Sequence, residues 1–552
     1  MTFRPIFGKR ALPGAIYDAA TREAQRTYLF FFVLTTLALT SMVAYLVVRV
    51  RTLGGLSFSP AEILLGVLLF IAELFLMIHS AGYFASVMKA TRRDAIAQPE
   101  IFEKAASAPV AVIVAIFNEQ EHVVEETLAA VRAMDYPVLN LYLLDDSTNE
   151  ECRAASRRIA ERYRAHLRQR VDRSGYKAGA INDVLPELTE PYIAMLDADQ
   201  RPNEGWLKDI VPLLERDPEL AMVQVPQVYA NIERLRVART ARYQQGIFFE
   251  HICEGKAYSN AMFCCGTNVV FRRSALESIE TMHNGRRNFL DESSITEDFA
   301  TTLRLHLAGW KTEYVNQPYV FGMGPETLAA YYTQHMRWAQ GTFGVGLRAL
   351  RIFLKNPRAL TFGQWWEYFL STSYYFVGCA NLVFIATPAM FLFFGVRPFR
   401  APADAFLLAF VPYVLFSMSF VFLGLTRRKY DPGTLWLATA LTFTTSWVYV
   451  KAFAVAILGL KRGFAVTPKG FGGAIPLTHM PVEVMLFLIN LVATAVGLYY
   501  IAFVAPDVAY VVSTVWAAYQ AVLMSLLFFY FNRPVEIDDG PLVFERVSLA
   551  VR

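Results

Sequence analysis

Four groups of residues in this chain have types and spacings suited to chemistry. Asp145 and Asp146 end the apolar run "LNLYLLDDST" (139–148), and Asp197-Ala198-Asp199 ends "PYIAMLDADQ" (191–200). Two carboxylates at i and i+2 after a buried strand suit a hard divalent cation, which takes oxygen ligands and shares them with substrate phosphates. Asp145 and Asp146, at a neighbouring strand end, can meet the same nucleotide. Lys177 in "YKAGA" adds a point charge for a diphosphate. Thr296-Glu297-Asp298 opens the helical stretch "SSITEDFATTLRLHLAGW" (293–310). That pattern is an ordinary helix start, or it presents Asp298 as a general base. A hydroxyl is a poor nucleophile, and a carboxylate within hydrogen-bond reach takes its proton as the bond forms. Finally, "QHMRWAQG" (334–341) puts Gln334, Arg337 and Trp338 three and four apart, on one helical face. Alone, it equally describes a surface helix with a Trp anchor.

The elements that must position these groups are legible from hydrophobic patterning. "PVAVIVAIFNE" (109–119), 139–148, 191–200 and "LAMVQVPQ" (220–227) read as short buried strands separated by helical stretches. Such alternation predicts a doubly wound α/β sheet with its ligand beyond the carboxyl ends of the strands. This mixed region runs from 91 to 362. On either side the chain is apolar, with runs at 28–48, 63–88, 368–394, 405–425, 484–504 and 508–531, each long enough to cross a bilayer.

Bulk properties agree. The chain has 552 residues, 55% hydrophobic and 18% charged, with a mean hydropathy of +0.32, the balance of an integral membrane protein. A net charge of +4 gives no reason to expect a nucleic acid partner. The five cysteines are odd in number and lack C-x-x-C spacing, which argues against a disulfide framework or a zinc site.

One further apolar stretch, 435–460, is flanked by Arg427, Arg428 and Lys429 before it and Lys461 and Arg462 after it, with Lys451 inside. Basic residues mark the cytoplasmic side, so basic residues at both ends predict a helix lying in the interface rather than a seventh span. About six spans remain. Arg4, Lys9, Arg10, Arg22 and Arg26 place the N-terminus inside, and two crossings return the chain to the cytoplasm at Lys89, Arg92 and Arg93. Segments 1–90 (two spans), 91–362 (cytoplasmic catalytic domain), 363–531 (four spans) and 532–552 (cytoplasmic tail) follow. Within the second span, Glu73 is an intramembrane carboxylate, and such groups are functional by default.

In this order, Asp145-Asp146, Asp197-x-Asp199, Thr296-Glu297-Asp298 and Gln334-x-x-Arg337-Trp338 resemble the D, DxD, TED, QxxRW signature of processive family 2 glycosyltransferases. Within them the chain most resembles the catalytic subunit of bacterial cellulose synthase. "PET" before QxxRW fits, and "FAVTPKG" (464–470) is similar to the F-x-V-T-x-K gating loop of that subfamily. The resemblance covers roughly residues 60–530.

It implies a GT-A-like α/β domain inserted in a bundle of about six transmembrane helices plus interfacial helices. It implies a processive, inverting enzyme that polymerises a β-glucan from UDP-glucose and moves it through its own channel. Asp298, with Glu297 and Thr296, becomes catalytic. Asp145, Asp146, Lys177, Asp197 and Arg337 bind UDP, as do Phe464, Val466, Thr467 and Lys469 in a gating loop at 463–473. Gln334, Trp338, Cys264 and Gly266 bind the acceptor, with Trp338 stacked beneath its sugar. Asp197 and Asp199 take Mg2+ or Mn2+. The implied partners are UDP-glucose, the growing glucan, membrane lipids and a periplasmic or other accessory subunit. The implied location is multi-pass in the inner membrane.

There are departures. Gln200 follows the DxD where cellulose synthases usually have His, and "MFCCGTNVV" (262–270) adds Cys265 and Asn268 near the acceptor region. They leave room for a curdlan-type β-1,3 or mixed-linkage synthase. A hyaluronan- or chitin-type synthase, a lipid-linked sugar transferase and a transporter stand further off. The segment after Phe531 is too short to hold a PilZ β-barrel.

Overall fold

The structure is a computed structural model that describes residues 14–52, 58–96, 107–233, 235–283, 285–400, 402–459, 473–504 and 507–534. Its centre is a seven-stranded sheet. In chain order the strands are β1 (Val110–Ile116), β2 (Leu139–Asp145), β3 (His166–Gln169), β4 (Tyr192–Asp197), β5 (Leu220–Gln224), β6 (Val269–Arg272) and β7 (Lys311–Tyr314). Their spatial order is β7-β5-β6-β4-β1-β2-β3.

The sequence of β1, VAVIVAI, is rich in β-branched residues and buried along almost all its length, as expected of a central strand covered on both faces. The pleat divides it. Val110, Val112 and Val114 enter one core, with Leu141, Leu143 and Trp206. Ala111 and Ile113 enter the other, with Ile193, Met195 and Phe271. All four strands foreseen from the sequence are present. The sheet is not wholly parallel, however: β6 runs antiparallel to both β4 and β5. Between β5 and β6 the chain makes a long helical excursion through Arg236–Ile247 and Cys253–Tyr258 and returns from the opposite end of the sheet.

Beyond the strand ends, a small sheet joins Arg201–Pro202, Val320–Gly322 and Val228–Tyr229. It draws the chain after the DxD against the segment that leads into the Leu328–Lys355 helix.

Among the described residues, seven helical segments are long and apolar enough to cross a membrane: Arg22–Thr52, Pro60–Arg93, Phe362–Phe394, Asp404–Thr426, Pro432–Ile457, Pro481–Phe503 and Val508–Phe531. They carry outward apolar side chains, such as Leu408 at 79% exposure, as a lipid-facing surface requires. Six correspond to the spans read from the sequence. The other, 432–457, is interrupted at Thr445. There Thr444 and Thr445 hydroxyls donate back to the Leu441 carbonyl (3.0 and 2.6 Å) and Ser446 donates to Phe443 (2.6 Å), which bends helices. Both halves bond to helices of the 91–362 region, through Gln244–Thr442 (3.0 Å) and Tyr449–His335 (2.9 Å).

Candidate active site

The register of β1 aligns the acidic strand ends. Ile116 pairs with Asp145 on one side, and Ala115 with Asp197 on the other. Strands therefore leave β1 in both directions, which opens a crevice at their carboxyl ends.

The two aspartates at the end of β2, Asp145 in the strand and Asp146 just after it, have protein donors on every oxygen. Asp145 accepts from the Ser147 amide (2.8 Å) and from Gln169 Nε2 (2.7 Å). Asp146 is gripped by Arg170, Nε to Oδ1 at 2.8 Å and Nη2 to Oδ2 at 2.6 Å. Arg170 also donates to the carbonyl of Tyr176 (2.8 Å). This fork ties β2 to the turn before the Tyr176–Val184 helix. Sequence reading missed Arg170, because a basic residue in "HLRQR" carries no local signal.

At the DxD, Lys177 forms an ion pair with Asp197 and donates to the Gly266 carbonyl (2.7 Å). Burial acts to lower the ammonium pKa, but Asp197 outweighs it and holds Lys177 above its ordinary value. Asp199 is buried and accepts from the Met323 amide (3.0 Å). The two departures from the family pattern meet here. Asn268 Nδ2 donates to Gln200 Oε1 (3.0 Å), Thr267 Oγ1 donates to Asn268 Oδ1 (3.1 Å), and the Asp197 amide donates to Thr267 Oγ1 (2.9 Å). Gly322 admits Gln200, since a methyl there would lie 2.0 Å from its Nε2.

Asp197 is 42% exposed at the crevice, whereas Asp199 lies inside it. Among the described residues no cluster of three His, Cys, Asp or Glu side chains could hold a metal. Two oxygen donors fit a divalent cation that completes its shell with diphosphate and water, the usual mode for Mg2+.

Thr296 sits at the start of the Glu297–Leu307 helix but makes no side-chain cap, so capping does not account for it. Its side chain packs against Gly341, where a methyl would lie 2.4 Å from Thr296 Cγ2. Asp298 Oδ1 accepts from the Phe299 amide (2.7 Å), and Oδ2 faces Gly266, where a methyl would come within 3.0 Å. Gly266 has φ +85°, so glycine suits both the backbone and the close approach. Burial, then the neighbouring Glu297, raises Asp298 from 3.8 to about 7, while Phe299, Lys177 and Arg337 act in the opposite sense. Burial also raises Glu297. A carboxyl poised near neutrality suits a general base.

In "QHMRWAQG" the faces separate. His335, Trp338 and Thr342 line a cavity of about 1250 Å³ that also exposes Thr296 and Asp298. Gln334 turns away to the Tyr229 hydroxyl, which Gln245 also holds (2.6 Å). His335 anchors the helix by packing its ring against Trp338 (5.0 Å) and bonding to Tyr449 (2.9 Å). At the cavity wall stands Cys265 rather than Cys264. The Cys264 side chain is buried beneath the strand-end loop, and its backbone amide donates to Thr302 (3.0 Å). Every described cysteine is free. The cavity continues between the apolar helices to Arg397 and Asp507. Phe464, Val466, Thr467 and Lys469 lie outside the described residues.

Residues 108–341 match the family described as "Glycosyltransferase like family 2", and residues 290–528 match "Cellulose synthase". Curated relatives are similar over most of this chain. Cellulose synthase 2 of Novacetimonas hansenii is 29% identical over 79% of this chain and 26% of its own length. The UDP-forming cellulose synthase catalytic subunit of Pseudomonas fluorescens SBW25 is 26% identical over 80% and 59%. That of Komagataeibacter xylinus is 26% identical over 91% and 66%. The chain thus spans from about a quarter to just under two thirds of the length of these relatives. Among solved structures, a mannosyltransferase from Pyrobaculum calidifontis in complex with GDP-Man and Mn2+ aligns with a TM-score of 0.48 at 18% identity, over 71% of this chain and all of its own.

Proposed function

From a chain that resembles processive family 2 glycosyltransferases, and within them the catalytic subunit of bacterial cellulose synthase, we propose a membrane-embedded β-glucan synthase. It takes UDP-glucose on the cytoplasmic side and extends the chain by one sugar per turnover. The product passes through the cavity between its own helices. The observation that carries this reading is that Asp298 and Trp338 share one cavity that runs on between apolar helices. A transfer site that opens only to solvent would need no such path.

Asp298 is the base. Its Oδ2 is the oxygen not engaged by the Phe299 amide, and it takes the acceptor hydroxyl proton as that oxygen attacks the sugar carbon bearing UDP. A single base with direct displacement inverts the configuration at that carbon. Trp338 offers its face to the C–H surface of the acceptor sugar. Arg337, whose charge reaches Asp298 and Glu297, opposes negative charge on the leaving diphosphate. Lys177 holds Asp197 in place for the donor. Asp197 and Asp199 would hold Mg2+ or Mn2+, which supplies charge compensation for the departing UDP. Residues 432–457 lie in the cytoplasmic interface, supported by their break at Thr445 and their bonds to helices of the catalytic part. By their resemblance to the F-x-V-T-x-K motif, Phe464, Val466, Thr467 and Lys469, which lie outside the described residues, bind the UDP of the donor.

The test is linkage analysis of the material made from labelled UDP-glucose by purified protein in lipid nanodiscs. A high-mass β-glucan with stoichiometric UDP release is expected. A single sugar on a lipid carrier would overturn the reading. A second reading, β-1,3 or mixed linkage, is favoured by the Gln200–Asn268 pair, and the same analysis separates it from β-1,4.

A further inference from the structure

The helix that carries Trp338 runs on past it to Lys355. In that half its inward face is fully used, since Val345 and Ala349 pack in one core cluster with Phe299, Leu303 and Leu360. The opposite face is apolar and bare. Leu347, Leu350 and Leu354, at i, i+3 and i+7, are 47%, 53% and 72% exposed.

Basic residues border this stripe. Arg351 and Lys355 follow Leu350 and Leu354 by one position, about 100° round the helix. Both are exposed, as is Arg358 in the turn that follows. Arg348, by contrast, is committed to an ion pair with Asp291 and to Ser293 (3.0 Å). No Asp or Glu stands between Glu326 and Glu367. Among the described residues, Arg351, Lys355 and Arg358 have no carboxylate partner.

The turn at 356–361 is fixed. Trp365 Nε1 donates to the Pro357 carbonyl (2.8 Å), Phe353 meets the Trp365 ring edge-on (5.4 Å), and Thr361 and Gln364 close a capping box. It leads directly into Phe362–Phe394, a segment apolar enough to cross a membrane. The end of the preceding helix is therefore held at the bilayer surface. There, leucines enter the acyl boundary while the long basic side chains reach the headgroups.

The combination selects the partner. A soluble anion would leave the leucine stripe in water. A neutral lipid would cover the stripe and leave the basic border without countercharge. An anionic leaflet answers both. We propose that Leu347, Leu350 and Leu354 seat in the membrane interface and that Arg351, Lys355 and Arg358 bind the headgroups of anionic phospholipids, which thereby brace the helix that carries Trp338. This rests on Phe362–Phe394 as a span and is independent of which sugar is polymerised.

The test titrates purified protein in neutral detergent with fluorescent phosphatidylglycerol, and separately with phosphatidylcholine of the same chains. UDP affinity is measured alongside as a check of folding. Each basic residue at an anionic surface contributes a factor of about five. Arg351→Gln, Lys355→Gln and Arg358→Gln should each weaken phosphatidylglycerol binding about fivefold, and all three together about 10²-fold, with phosphatidylcholine binding and UDP affinity unchanged. Arg351→Lys with Lys355→Arg keeps the charges and should keep the affinity. Raised salt should narrow the difference between the two lipids. Wild-type phosphatidylglycerol affinity in the triple glutamine variant would overturn the proposal, as would equal binding of the two lipids by the wild type. Competition by millimolar inorganic phosphate would also overturn it, in favour of a free-anion site. A protein that stayed in solution without detergent or lipid would instead overturn the span on which the proposal rests.

Discussion

Gly341 meets Thr296 with no space between them: a methyl on Gly341 would lie 2.4 Å from Thr296 Cγ2 and 2.6 Å from its Oγ1. This contact sets the Leu328–Lys355 helix, which carries Trp338, against the start of the Glu297–Leu307 helix, which carries Asp298. Gly341→Ala is expected to push the two helices apart and misplace the proposed base and acceptor platform together. Displacements of this kind cost on the order of 10²-fold in rate. Polymer synthesis should fall by that factor while UDP affinity, measured by titration, stays within about twofold of wild type. Unchanged synthesis would show that the contact does not set the site.

Asp298→Asn removes the proposed base. Synthesis should fall about 10²–10⁴-fold with UDP binding retained. The same change relieves a buried carboxyl whose pKa stands at about 7 rather than 3.8. A raised carboxyl pKa favours the folded state at low pH, and that advantage is lost as pH rises through the folded value. The Asn variant should therefore melt above wild type at pH 8, and the gap should narrow towards pH 4. Near-normal polymer output would refute the assignment of the base.

Wild-type activity should carry an acid limb centred near 7, because only the ionised Asp298 accepts the proton. A profile flat from pH 5.5 to 8 in donor-saturated assays would place the base elsewhere.

Asp199→Ala should lose the metal-dependent part of UDP-sugar binding, read by titration with and without Mg2+ or Mn2+. Asp197→Ala should lose it too and in addition release Lys177, its ion-pair partner. Affinity unchanged by either substitution, with or without metal, would remove the metal role.

A cysteine placed at Ala465 tests the path of the chain. With 432–457 in the cytoplasmic interface, the label should react only in opened membranes. Reaction from outside intact cells would mean that this segment crosses. Replacing Phe464 and Thr467 together by Ala should cut synthesis severely, and wild-type synthesis and UDP affinity in that variant would defeat their assignment to donor binding.

The sequence by itself determined the alternation of strands and helices, the acidic strand ends and the apolar runs. These follow from local periodicity and from side chains that must sit where a buried strand meets solvent. Tertiary structure decided what those groups contact. The antiparallel course of β6 depends on where a long helical excursion returns, which no local pattern records. Asp145, Asp146 and Lys177 are committed to Gln169, Arg170 and Asp197, partners distant in the chain. One turn of helix separates Trp338, at the cavity, from Gln334, on Tyr229, because tertiary neighbours and not spacing choose the face. Gly341 was visible in "QHMRWAQG", and a glycine inside a helix costs about 1 kcal/mol relative to alanine. That cost signals a close approach, but only the folded chain supplies Thr296 as the neighbour.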